Sequence, residues 1–179
     1  MRRHDGHLRA QGPGERAPTG GADRFVDGFD YPMFVVTAAD PGTGERAGCL
    51  VGFTTQTSID PFRYLVCLST RNRTFRIAAA APVLAVHAPA RDQTDLAELF
   101  GGETGDEIDK FARCAWQPGP HGVPLLTDCP RRLVGEIRAR VDLGDHHGFL
   151  LAPVEVWTGA GTAPLTFTGL PDIAPGHPA

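Results

Sequence analysis

Apolar and β-branched positions fall in short runs divided by turn formers. Met33–Ala38 (MFVVTA) is such a run, and Asp40-Pro41-Gly42-Thr43-Gly44 closes it, which predicts a strand entering a hairpin. A second strand is predicted over Gly48–Thr57, a turn at Ser58-Ile59-Asp60-Pro61, and a third strand over Arg63–Leu68 (RYLVCL). Asn72 and Thr74, both helix-capping types, precede Phe75–Ala80, and Pro82 stops the predicted helix before a strand at Val83–His87.

Leu96, Leu99 and Phe100 have helical spacing behind the cap candidates Asp92 and Thr94. Thr104-Gly-Asp-Glu107 has the form of a capping box ahead of Ile108 and Phe111, so two mid-chain helices are expected. From Leu133 to Val141 the odd positions are Leu, Gly, Ile, Ala and Val, while Glu136, Arg138 and Arg140 fall between them, the alternation of a half-buried strand. Gly144–Gly148 reads as a turn and Phe149–Trp157 as the partner strand, interrupted by Pro153, which suits an edge or a bulge. The sum is a mainly β (α+β) domain, an antiparallel barrel with short inserted helices.

Composition sharpens this picture. With 22 Gly and 16 Pro in 179 residues a helical bundle is excluded, and 41% hydrophobic residues suffice for one real core. Residues 1–24 lack periodicity and are expected to be a disordered leader; the domain is expected over 25–170 and a flexible tail over 171–179. The net charge is −4, and Lys110 is the single lysine beside 16 arginines, so no basic tract points to nucleic acid or a membrane surface. No apolar run approaches the roughly 18–20 residues of a membrane span, and the first residues lack the apolar centre of a secretory signal, so a cytoplasmic protein is expected. Cys49, Cys67, Cys114 and Cys129 show no C-x-x-C spacing and are expected as reduced, interior thiols, with no metal site.

Gly42-Thr-Gly44-Glu-Arg-Ala47 matches a dinucleotide fingerprint in letters, but β-branched residues and glycines follow where a helix must begin, so a hairpin loop is the better reading. No G-x-S-x-G, Walker or H-E-x-x-H motif occurs. Three segments remain as candidates for chemistry: the strand from Gly48 to Ser58, the Ser69–Thr74 loop and Asp145-His146. In the loop, hydroxyls with Arg71 and Arg73 adjoin a helix N-terminus, an arrangement suited to a phosphate.

The motif order resembles the flavin reductase-like family of FMN-binding split barrels. It runs through Tyr31-Pro-Met-Phe-Val-Val-Thr37, Ser58-Ile-Asp-Pro61, Tyr64–Ser69, Asn72-Arg-Thr74, Asp109-Lys-Phe111, Gly122-Val-Pro-Leu125 and Gly144-Asp-His146. The resemblance implies a homodimer that binds FMN, with FAD or a deazaflavin as alternatives, and uses NADH or NADPH to reduce flavin, in many members for a separate monooxygenase. It implies Leu50, Val51, Gly52, Phe53 and Thr54 beside the isoalloxazine, Ser58, Ser69, Thr70, Arg73 and Thr74 around the phosphate, and His146 flanking the nicotinamide as the catalytic candidate. Leu50 and Gly52 stand where the family often has hydroxyl or amide side chains, so main-chain groups must do more here. A non-catalytic flavoprotein electron carrier or sensor would share the same pattern.

Overall fold

The computed structural model describes residues 25–160, 163–170 and 172–173. The expected 1–24 leader lies outside them, as does most of the 171–179 tail. Among the described residues the strands are β1 (Phe34–Ala39), β2 (Arg46–Val51), β3 (Thr54–Ser58), β4 (Arg63–Ser69), β5 (Val83–Ala88), β6 (Trp116–Pro118), β7 (Pro124–Leu126), β8 (Arg131–Asp142) and β9 (His146–Thr158). The α-helices that lie wholly within the described residues are α1 (Arg73–Ala80) and α2 (Thr94–Gly102).

Seven strands form one antiparallel sheet in the order β2-β1-β5-β8-β9-β4-β3, and β6 pairs with β7 in a separate hairpin. The strand expected over Gly48–Thr57 is two strands on opposite edges of this sheet, parted only by Gly52 and Phe53. A connection this short forces the sheet to curl until its edges meet. No ladder joins β2 to β3 among the described residues, so the barrel is split along that line. At the seam the Cys67 N–H donates to Phe53 O at 2.9 Å and the Thr54 N–H to Gly52 O at 3.0 Å.

The unbroken apolar run in β1 follows from burial on both faces. Val36 and Ala38 join Val66, Leu68, Leu84, Val86, Phe149 and Leu151 in the main cluster, which Ile77 and Ala78 of α1 cover. Val35 turns the other way, against Phe100, Phe111 and Leu126 around α2. A third cluster, Val83, Ala85, Val123, Leu125 and Val134, seats the β6–β7 hairpin on the sheet. Full burial of a side chain of Leu or Phe size contributes roughly 1.5–3 kcal/mol, so these clusters supply the main favourable term.

Local capping agrees with the sequence at α1, where Asn72 Oδ1 accepts the Thr74 N–H at 2.9 Å and the helix stops at Ala81 before Pro82. At α2 it differs. Gln93 holds the N-cap position, and its side chain is used elsewhere, accepting from the Ala90 N–H (2.8 Å) and donating to Asp128 O (3.0 Å). The helix expected after Thr104 is a turn followed by a 3₁₀ segment at Lys110–Arg113. Asp109 accepts the Phe111 N–H (3.0 Å) and so starts a new segment rather than continuing one. Lys110 is drawn into the core, where its ammonium donates to Gly48 O (3.4 Å) and Phe100 O (3.1 Å) and ties β2 to α2.

The Gly42–Ala47 segment is the β1–β2 hairpin, with Gly44 at φ 75°. The turn expected at Gly144–Gly148 is shorter, because His146 and His147 already belong to β9. Pro153 lies beyond the β4–β9 ladder, which ends at Leu151, and pairs with Gly135 of β8 beside a bulge. All four cysteines are free. Among the described residues no helix is long and apolar enough to cross a membrane, and no group of three His, Cys, Asp or Glu side chains is placed to hold a metal.

Candidate functional site

A cavity of about 240 Å³ opens where the barrel splits, bordered by Leu50, Val51, Gly52 and Phe53 on the chain that crosses from β2 to β3. Cys67, Leu68 and Ser69 of β4 form its floor, and Asn72 and His146 stand at its polar end. Tyr31, Met33 and Phe167 complete the wall from outside the seven-stranded sheet. The structure thus unites Leu50, Val51, Gly52, Phe53, Ser69 and His146, which lie in three distant parts of the sequence.

His146 enters because β9 pairs with β4 in a register that sets His146 opposite Ser69. Its Nδ1 lies 2.8 Å from Asp145 Oδ1, and its ring lies 5.0 Å from that of Phe53. The hydrogen bond to His146 holds the Asp145 carboxyl below the usual carboxylate range. Thr70 fixes this turn from the neighbouring loop, donating to Asp145 O from both its amide (2.9 Å) and its hydroxyl (3.1 Å). His147 packs instead against Phe75 and Phe149, at 5.4 and 5.5 Å between rings.

The remaining predicted positions lie off the cavity wall. Thr54 Oγ1 is 2.9 Å from the Tyr64 hydroxyl, and Ser58 ends β3 beside a bulge. The Thr74 hydroxyl is buried beside the Cys49 thiol and cannot be presented to a ligand in the cavity. The Arg73 guanidinium is turned to Glu45 (3.0 Å), Asp106 (3.6 Å) and Gly105 O (3.2 Å). Its charge is therefore balanced by carboxylates. Arg71, on the same loop, is exposed and borders the narrow cleft that also holds Asn72 and Arg73.

At Gly52 the fold leaves no room for a side chain. A Cβ there would lie 2.6 Å from Tyr31 Cε2 and 3.3 Å from Met33 Sδ, so the space a side chain would occupy is filled by the Tyr31 ring. The two cavity thiols are chemically quiet: burial pushes Cys49 up to about 11 and raises Cys67 as well, so both are protonated near neutral pH. The sequence reading missed Tyr31, Met33 and Phe167 as wall residues. Tyr31 and Met33 fall in a segment that carries the family resemblance, while Phe167 lies outside every motif of it.

The profile of the Flavin reductase like domain matches residues 26–170, and the chain belongs to that family. A probable flavin reductase of Rhizobium meliloti (strain 1021) is 30% identical over 122 residues, 66% of this chain and only 37% of that longer protein. The reductase component of an FADH(2)-dependent resorcinol hydroxylase from Rhizobium sp. (strain MTP-10005) is 27% identical over 154 residues, covering 84% of this chain and 86% of its own. In fold, the chain is similar to the NADH:FAD oxidoreductase SgcE6 of Streptomyces globisporus C-1027, with a TM-score of 0.76 at 23% identity over 89% of this chain and 95% of that one.

The residues present suit the flat ring of a flavin. The exposed Phe53 side chain and the main chain of Leu50–Gly52 would border its faces, and Ser69, Asn72 and His146 offer polar groups at one end. The β1–β2 ladder ends at Val51 opposite Phe34, which leaves the Gly52 and Phe53 amides beyond it at the cavity wall.

Proposed function

We propose that this chain is an NAD(P)H-dependent flavin reductase that binds FMN, with FAD as the alternative, at the split of the barrel. The observation that carries the reading is the apolar cavity at Gly52–Phe53 with His146 held at its polar end. A bound flavin would supply hydride acceptance from a nicotinamide and onward electron transfer. The protein's part is placement: Phe53 and the main chain of Leu50, Val51 and Gly52 border the ring, and Asp145 and Thr70 fix the His146 imidazole beside them. Thr54 and Thr70 act around this site by holding its strands and loop, while Ser69 and the exposed Arg71 are the groups proposed for the flavin phosphate.

The relatives support two finer statements. One is the reductase component of a hydroxylase, which favours a monooxygenase as the consumer of reduced flavin. A second copy of this chain is proposed to cover Phe53, Val154 and Val156, large apolar side chains exposed by more than half. Light scattering at micromolar concentration with FMN present tests the dimer, and a monomer under those conditions overturns it.

The test of function is a flavin titration followed by anaerobic stopped-flow mixing with NADH and NADPH. Quenching of FMN fluorescence with a Kd of micromolar or tighter, about −8 kcal/mol, and bleaching of the flavin on mixing are expected. No quenching at tens of micromolar protein overturns the reading; binding without bleaching reassigns the protein as an electron carrier.

A further inference from the structure

The cavity's outer wall is built from the two ends of the domain. Tyr31 precedes β1, and Phe167 lies in a 3₁₀ turn at Phe167–Gly169 after β9. Their rings stack 5.1 Å apart at an interplanar angle of 20°. Phe167 is 50% exposed, so an aromatic side chain lining the cavity stays half open to solvent.

Three hydrogen bonds hold these ends together. The Phe167 N–H donates to Tyr31 O (2.9 Å) and the Met33 N–H donates to Leu165 O (2.9 Å), the two bonds that make the bridge between Pro32 and Thr166. The third is made by Asp30, whose Oδ1 accepts the Thr168 N–H at 3.0 Å. Thr168 follows Phe167 directly, so this bond fixes the turn that aims the ring. The Thr168 amide, with the Thr166 and Thr168 hydroxyls, holds the Asp30 carboxyl below its ordinary range, so it is ionised throughout the neutral region.

Resting on the flavin reading above, we propose that the stacked Tyr31–Phe167 pair is the face that receives the reductant's nicotinamide ring, and that Asp30 is the positioning residue that keeps this face in place. The wall meets the inner site at Gly52, where the missing Cβ is the space the Tyr31 ring occupies. Leu50, Val51 and Phe53, on the β2–β3 crossing, are assigned to the flavin. That leaves the half-exposed ring, on a separate pair of segments, for a second flat ring arriving from solvent. Offset stacking on an aromatic face suits a nicotinamide, and no charged group is required.

The test compares wild type with Phe167→Ala, Phe167→Tyr, Asp30→Ala and Asp30→Asn. Flavin Kd comes from fluorescence, NAD+ affinity of the flavin-loaded protein from calorimetry, KM and kcat from steady state, and amide exchange at Thr168 from mass spectrometry. Phe167→Ala is expected to raise KM for NADH and weaken NAD+ by about tenfold, with flavin Kd changed less than about threefold; Phe167→Tyr restores both. Asp30→Ala is expected to expose the Thr168 amide to exchange and to weaken NAD+ in the same direction. Asp30→Asn, which keeps the acceptor oxygen, restores protection and affinity.

Unchanged NAD+ affinity and KM in both alanine variants, in a protein that still binds flavin, overturns this proposal and leaves the flavin reading intact. Asp30→Ala with Thr168 still protected overturns the positioning role. A wild-type protein that binds no flavin overturns both readings together.

Discussion

His146 Nδ1 sits 2.8 Å from Asp145 Oδ1 at the first residue of β9, and this bond decides which ring nitrogen is left for a ligand. With Nδ1 directed to the carboxylate, Nε2 is the nitrogen available on a ring that lines the cavity. Hydride transfer needs no general acid, so the imidazole's contribution is positional. His146→Ala is expected to slow flavin reduction by about 10- to 100-fold, about 1.4–2.7 kcal/mol, with flavin affinity little changed. His147→Ala should leave the rate alone, because that ring packs on Phe75 and Phe149. Single-turnover reduction of both variants checks this, and a defect confined to the His147 variant moves the role there.

The arginines of the Ser69–Thr74 loop separate in the same way. Arg73 is balanced by Glu45 and Asp106, whereas Arg71 is exposed beside the loop hydroxyls. Arg71→Ala is expected to weaken FMN by about tenfold, about 1.4 kcal/mol, and riboflavin hardly at all, since riboflavin has no phosphate. Arg73→Ala should affect the two ligands equally. Parallel titrations of FMN and riboflavin check both variants; a loss selective for FMN in Arg73→Ala returns the phosphate to Arg73.

Much of the sheet was legible because its strands are compact β-branched runs between turn formers. The α1 cap was legible because Asn72 acts within two residues of itself. The site was legible only in pieces. The division of Gly48–Thr57 into β2 and β3 is set by where the sheet edges meet, a relation absent from any window of sequence. The β6–β7 hairpin has three-residue strands, two of whose positions are Pro118 and Pro124, too short for periodicity to register. One distinction was available and unused. In β9, Phe149 and Leu151 face the main cluster, so alternation puts His147 on their side and His146 on the other. Tyr31 and Phe167 meet only through tertiary structure.

Stability should depend on pH through His87. It is fully buried, its Nδ1 lies 3.0 Å from Val35 O, and its Nε2 accepts the Leu126 N–H at 3.0 Å, which ties β7 to the sheet. Burial pushes its pKa down from 6.5 to about 4. The folded protein therefore resists a proton that the unfolded chain accepts. This contribution is complete above pH 6.5 and is lost as pH falls from there toward 4, with about 2 kcal/mol gone by about pH 5. Urea midpoints across this range measure it. His87→Gln, which offers a donor and an acceptor but does not titrate, should flatten the profile; an equally steep profile in that variant assigns the dependence to other groups.

The last prediction concerns the contact between Gly52 and Tyr31. A methyl group at Gly52 would lie 2.6 Å from Tyr31 Cε2 and 3.3 Å from Met33 Sδ, far inside van der Waals distance. The Gly52 backbone is not among the positive-φ glycines, so alanine meets no conformational penalty there and the cost is steric. Tyr31 cannot swing aside freely, because its ring stacks on Phe167 and its carbonyl accepts the Phe167 N–H. Gly52→Ala is expected to destabilise the fold by about 1–3 kcal/mol, the usual range for overpacking, and to weaken flavin by moving the cavity wall. Tyr31→Ala empties the same space and is also expected to destabilise, through lost packing. In the double variant the clash is absent, so its total loss should fall short of the sum of the single losses by at least about 1 kcal/mol. Urea unfolding of the four proteins measures that coupling, and flavin titration of the same set reports the wall. Additive stabilities would show that the Gly52 site relaxes without Tyr31, and that the glycine answers to the ligand rather than to the ring packed against it.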